Sequence, residues 1–184
     1  MDVKQCFPSQ YEFEVLNEIP WGNVRRFYFP GVQTEGGQDG LMVKITPPGN
    51  QSWIGVFAFG RIAPKAKNGV YTCPNDMQIC VVSRGEGYIV RTDNPNCFEV
   101  VKARPISEVH IIIERKLIVF ADSWQLCAYG EEGLVWQTDR LAWDGLKITE
   151  VTTDYIRGEV DPWTDEKREF IVDIKTGRHR GGSV

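Results

Sequence analysis

The sequence predicts an all-β protein of antiparallel meanders with blade-like repeats, arranged as an open stack or a sandwich, with a small propeller-like fold as the alternative. Three observations carry this. Short apolar and aromatic runs recur between Gly, Pro, Asn and Asp turn signals, in a chain with 18 Gly and 10 Pro. No run with helical spacing extends beyond two turns. One stretch of the chain also matches another about one blade-length further on.

Residues 1–20 carry two signals. Ser9-Gln10-Tyr11-Glu12 fits a helix capping box, but Tyr11, Phe13 and Val15 alternate with Glu12 and Glu14, which favours a strand. Trp21-Gly22-Asn23 turns the chain into a strand over Val24–Phe29, closed by Pro30-Gly31. Gln33–Gly40 is a polar loop, and Leu41–Thr46 is a strand stopped by Pro47-Pro48-Gly49-Asn50. Trp53–Gly60 is apolar almost throughout, as expected of a strand covered on both faces. Ala63–Asn68, with Pro64 and two lysines, reads as an exposed loop.

From Val70 the strands come in groups. Val70–Thr72, Met77–Val82, Tyr88–Thr92 and Phe98–Val101 form one blade-like unit near 70–109. Leu117–Ala121, Gln125–Tyr129, Leu134–Thr138 and Leu146–Val151 form another near 117–151, with Val109–Ile113 as a buried strand between them. Asp144-Gly145 between apolar flanks is a hairpin signal. Tyr155–Val160 and Phe170–Ile174 echo the theme over 155–177, around the polar loop Asp161–Lys167. The tail Arg178–Gly182 is expected to fray. All of this falls within a single all-β domain, 1–184.

The repeat lays residues 78–93 over 125–139 with one gap, so that Gln, Cys, Glu, Gly, Thr and Asp coincide at an offset of 46 to 47 residues. The spacing suits a four-stranded blade. Gly87 and Gly133 are expected in equivalent turns, and Cys80 and Cys127 at equivalent buried positions. These units resemble β-propeller repeats of the quinoprotein-like kind, with a Gly-centred turn followed by a strand bearing Trp and a polar exit. The resemblance covers about residues 70–150. It implies architecture and brings no catalytic or cofactor residues with it.

The 184 residues carry a net charge of −4, which argues against nucleic acid as the partner. Residues 61–120 hold nine Lys/Arg against six Asp/Glu, whereas 121–184 hold eight against thirteen, so the C-terminal third could face a basic partner. No run is apolar and long enough for a membrane helix, and no targeting segment is visible. Five cysteines without a CxxC pair point to reduced thiols and a cytoplasmic location, although a Cys73–Cys80 or Cys80–Cys127 disulfide is an alternative.

Signs of chemistry are sparse. His110 sits in an Ile-rich strand and reads as half-buried, and His179 lies in the Gly/Arg tail, so neither has the setting of a catalytic base. The spacing of Cys73 and Cys80 does not suit zinc, and Asp161–Glu166 matches no calcium loop, so no metal or cofactor is expected. Asp122, Glu131, Glu132, Asp139 and Asp144 could supply a glycosidase pair. The better clue is aromatic: Trp143 beside Asp144, with Arg140, and Trp163 in the polar loop, with Asp161, could form a binding rim. Trp53 and Trp136 are expected in the core.

The sequence therefore favours a cytosolic, non-catalytic module for a macromolecular partner, accessory or immunity-like. Carbohydrate recognition or carboxylate-based hydrolysis is the second reading. Self-assembly of a structural protein through an exposed sheet edge is the third.

Overall fold

The computed structural model describes residues 1–18, 20–22, 24–31, 39–143, 145–162 and 168–183. Within them the chain forms seventeen strands and one 3-10 turn, gathered in four mostly antiparallel sheets, none of which closes on itself. It divides into two compact units, Met1–Pro105 and Ile106–Val184. Among the described residues no helix is long and apolar enough to cross a membrane.

In the first unit the strands are β1 (Asp2–Lys4), β2 (Glu12–Leu16), β3 (Arg25–Phe29), β4 (Gly40–Thr46), β5 (Trp53–Ala58), β6 (Gly69–Thr72), β7 (Gln78–Ser83), β8 (Glu86–Arg91) and β9 (Phe98–Val100). Sheet I has the order β2-β4-β5-β3 and sheet II the order β1-β6-β7-β8-β9. The alternation of Tyr11, Phe13 and Val15 prevails over the capping box, since β2 pairs antiparallel with β4. Two pairings are parallel, β1 with β6 and β3 with β5, which the expected antiparallel meanders do not include. Both join strands distant in sequence, so no turn signal announces them.

Sheets I and II share one core. Phe29 stacks on Phe57 with ring centroids 4.7 Å apart, beside Trp53, Val81 and Tyr88. Polar groups at its margin also cross from one sheet to the other. Trp53 Nε1 donates to the Thr92 carbonyl at 2.8 Å, Tyr11 Oη to that of Gln78 at 2.7 Å, and Ser83 Oγ to that of Phe57 at 2.9 Å. Each satisfies a buried donor whose loss of water would otherwise be costly.

The second unit contains β10 (Glu108–Ile112), a 3-10 turn (Ile113–Arg115), β11 (Leu117–Ala121), β12 (Leu126–Gly130), β13 (Gly133–Gln137), β14 (Leu146–Val151), β15 (Tyr155–Val160), β16 (Arg168–Asp173) and β17 (His179–Gly181). Sheet III is the meander β10-β11-β12-β13 and sheet IV the meander β14-β15-β16-β17. Four-stranded antiparallel meanders of this kind are compatible with blade-like repeats. Val119, Leu126 and Trp136 of sheet III share a core with Ile156, Phe170 and Val172 of sheet IV. Trp136 Nε1 donates to the Ile174 carbonyl at 2.6 Å. Each unit is thus sandwich-like, two sheets over one apolar layer.

Several expectations change here. Val109–Ile112 opens sheet III instead of lying between units, and Leu146–Val151 opens sheet IV, so the strands regroup by one. The Asp144-Gly145 signal does not mark a hairpin: Asp144 lies outside the described residues, and its flanking strands belong to different sheets. The tail does not fray, because β17 pairs with β16 through Phe170↔Gly181, Ile171↔Arg180 and Val172↔His179. Gly181, at φ +78°, is needed there, since a Cβ would come within 2.1 Å of the Glu169 carbonyl oxygen.

The two repeat copies are both hairpins with two-residue turns, Arg84-Gly85 and Glu131-Glu132. Their later glycines are not equivalent. Gly87 sits opposite Val82 within β8, whereas Gly133 opens β13 opposite Gly130. A bulge between Ala128 and Tyr129 gives the second hairpin its extra residue, Val135, so the two exits fall out of step. Cys73, Cys80 and Cys127 are buried and none of the five cysteines is in a disulfide, so neither candidate disulfide forms. Parts of the expected Gln33–Gly40 loop and of the Asp161–Lys167 loop fall outside the described residues.

Candidate binding site

At the end of β11 the buried carboxylate of Asp122 organises a turn. Its Oδ1 accepts the backbone N–H of Trp124 at 2.7 Å and of Gln125 at 3.0 Å, while Oδ2 accepts Gln125 Nε2 at 3.3 Å. This is the local reason the chain reverses at Ser123-Trp124: the aspartate offers the backbone partners that a sheet ladder would otherwise supply. The turn leaves the Trp124 ring 40% exposed. Leu141 N–H then donates to the Trp124 carbonyl at 2.7 Å, which draws the segment after β13 against the turn.

That segment carries Arg140 and Trp143. Arg140 folds back on its own loop, with Nε donating to the Ala142 carbonyl at 2.9 Å and Nη2 to that of Trp143 at 3.0 Å. Its guanidinium carbon lies 5.0 Å from the Trp143 ring centroid and 5.6 Å from that of Trp124. Both distances are within cation–π range, where an exposed pair contributes about 0.5–1 kcal/mol. Trp143 is tied to the C-terminal segment: Nε1 donates to the Ser183 carbonyl at 2.9 Å, and Ser183 N–H donates to the Leu141 carbonyl at 2.8 Å. The Trp143 ring is held in place yet 59% exposed. One cation therefore lies against two partly exposed indoles, an arrangement that presents flat apolar surface at little cost in side-chain order.

Of the residues singled out in the sequence, the structure brings Arg140 and Trp143 together. Asp161, at φ +47°, donates its backbone N–H to the Gly145 carbonyl at 2.8 Å, two residues beyond Trp143. Asp144 and Trp163 lie outside the described residues. Trp124 is absent from the sequence reading, although Asp122-Ser123-Trp124-Gln125 carries an Asx-turn signal with an aromatic at its tip. Trp53 and Trp136 are in the core, as expected.

The carboxylates considered for a glycosidase pair separate into different tasks. Asp122 is committed to its turn, Glu131 and Glu132 form the β12–β13 turn, and Asp139 is exposed. His110, on edge strand β10, lies half-buried with Nε2 3.0 Å from Glu108 Oε2. Among the described residues no three His, Cys, Asp or Glu side chains gather in a group that could hold a metal ion. No protein-family model matches the chain, and no curated protein matches it.

Proposed function

We propose that this chain is a binding module for a macromolecular partner, non-catalytic and accessory in role, which engages that partner through Trp124, Arg140 and Trp143. The observation that carries the reading is the Arg140 guanidinium held within 5.0 and 5.6 Å of two partly exposed tryptophan rings. Trp and Arg are the residues that most often anchor interfaces, and anchors that are ordered beforehand lose little entropy on binding. With Asp122 buried in its turn, the charge that the three anchors present is that of Arg140, which suits an aromatic, apolar or anionic partner surface. The acidic excess of residues 121–184 is the separate feature that would draw a basic partner in an immunity-like role. We assign the module to the cytosol on its five cysteines, none of which is in a disulfide. The quinoprotein-like resemblance adds architecture to this reading and no activity.

The test is affinity capture from native extract with the wild type and with Trp124→Ala and Trp143→Ala. A protein retained by the wild type and lost with both variants supports the reading. Retention of the same proteins by all three overturns it. Retardation of the wild type on polysaccharide gels, lost in the same variants, would transfer the site to carbohydrate recognition.

Self-assembly is a second reading, favoured by one observation. Of the strands at sheet edges, β13 (Gly-Leu-Val-Trp-Gln) is the one without a charged residue among the described residues, and Leu134 and Val135 on it are exposed. Charged edges discourage pairing, and this edge has none. A dimer mass by light scattering that Val135→Lys reduces to a monomer would establish it. A monomer in the wild type at high concentration would dismiss it.

A further inference from the structure

A half-open groove of about 680 Å³ runs along the outer face of sheet IV, distant in sequence from Trp124 and Arg140. Its floor is apolar, with Tyr155 and an exposed Ile171. The register explains the wall. Ile171 pairs with Arg180, and Asp173 N–H donates to the Arg178 carbonyl, so Arg178 and Arg180 stand two residues apart on the same face as Ile171 and Asp173. Neither guanidinium has an ion-pair or hydrogen-bond partner among the described residues.

Two acids line the groove. Asp154 pairs with Arg115. Asp173 Oδ1 accepts both the Thr176 N–H at 2.8 Å and the Thr176 hydroxyl at 2.7 Å. The Asp154–Arg115 pair is neutral and Asp173 keeps its negative charge, so Arg178 and Arg180 leave the groove with a net positive charge.

The same edge also offers backbone. Asp173 N–H donates to Arg178 and Gly182 N–H donates to Glu169, which places the bonded pairs of the β16–β17 ladder at 173↔178, 171↔180 and 169↔182. Antiparallel bonding alternates, so the N–H and C=O of His179 and Gly181 point away from β16, on the outer side of β17, where the next such residue, Ser183, already donates to the Leu141 carbonyl.

We propose that this groove takes an acidic, extended peptide segment of a partner protein, which adds as a fifth strand beside β17. The segment's backbone would bond His179 and Gly181, and carboxylates at alternate positions would reach Arg178 and Arg180. The two-residue spacing of the arginines matches the period of a strand, so a Glu-x-Glu pattern puts both acids on the arginine side. Guanidinium–carboxylate pairing provides charge-assisted hydrogen bonds with defined geometry. The groove shares no lining residue with the tryptophan site, although Trp143 bonds Ser183, two residues beyond Gly181.

The probe is a fluorescein-labelled octapeptide of alternating Glu and Val, followed by polarisation at low ionic strength. Saturable binding is expected, weakened at least tenfold by Arg178→Glu with Arg180→Glu and unchanged by Trp124→Ala, whose side chain makes no bond to the β17 segment among the described residues. Both arginines are surface residues, and a melting curve for the double variant confirms that it folds. A peptide of the same charge with alternate amides N-methylated should also bind at least tenfold more weakly, since it cannot complete a ladder. Absence of binding, equal binding of an alternating Lys and Val peptide, or insensitivity to the double variant would overturn the proposal. So would equal affinity for the N-methylated peptide, loss of binding with Trp124→Ala, full displacement by millimolar inorganic phosphate, or tighter binding of a single-stranded oligonucleotide.

Discussion

Arg140 and Trp143 grip each other twice: the guanidinium lies 5.0 Å from the indole centroid, and its Nη2 donates to the carbonyl of the same tryptophan at 3.0 Å. The ring is thus positioned without being buried, which separates it from Trp136, whose indole is enclosed by the core of sheets III and IV. Truncating the two should have unlike consequences. Trp136→Ala removes a buried ring and the hydrogen bond to Ile174, and should cost about 3–5 kcal/mol. Trp143→Ala loses mainly the bond to Ser183 and the cation–π contact, and should cost about 1–2 kcal/mol. Thermal melts of both variants check this. If Trp143→Ala melts as low as Trp136→Ala, the ring is structural and the binding site loses its anchor.

Asp122 is the residue on which the other half of the site depends. Its Oδ1 accepts two backbone N–H groups, at Trp124 and Gln125. Asp122→Ala leaves both without that partner and should destabilise by about 1–3 kcal/mol. The turn would loosen, so Trp124 fluorescence should shift to the red and its emission broaden. Asp122→Asn retains an acceptor oxygen and should recover most of the stability. Equal destabilisation by the two variants would show that the turn requires the charge rather than the acceptor.

The strands that pattern could reveal are those whose side chains alternate or are wholly apolar, such as β4, β5, β7 and β11. Their residues face a core on one side or both, and burial selects exactly the residue types that a periodicity search counts. Strands β1 and β17 lack that signature. Each has three residues, with Asp2 and Lys4 on one and Arg180 on the other, and each exists because a neighbour in the sheet supplies backbone partners. Arg140 and Trp143 were legible as a pair because they are three residues apart in a loop. Trp124 was not, because the bond that brings it to them joins the Trp124 carbonyl to Leu141 N–H, 17 positions later. Proximity of that kind is written in the sheet pairing and leaves no trace in local composition.

The cysteines offer a test of burial that needs no partner. Cys73, Cys80 and Cys127 are enclosed, and burial pushes the Cys73 thiol well above its ordinary range, which starves it of reactive thiolate. Cys6 and Cys97 are exposed. Native protein should therefore consume two equivalents of a thiol reagent quickly, and denaturant should reveal the remaining three. Rapid native labelling of Cys80 or Cys127, located by mass spectrometry after digestion, would show that their strands open or that the sheets pack otherwise.

The last prediction concerns acid. Hydrogen bonds from the Thr176 hydroxyl and N–H hold the Asp173 carboxyl below the usual carboxylate range. A carboxyl that is more acidic folded than unfolded favours the folded state whenever it is ionised. Its contribution is therefore complete above the unfolded value, about 3.9 for aspartate, and disappears as pH falls through the lower folded value. Asp173→Asn keeps the shape and an acceptor oxygen but cannot ionise. The wild type should melt above the variant near pH 7, and the gap should narrow as acidification protonates Asp173. Because the group is at the surface the gap will be small, so paired scans in identical buffers are needed. A difference that stays constant on acidification would mean that the Asp173–Thr176 turn acts through shape alone, and that the charge of Asp173 contributes nothing to holding the β16–β17 connection.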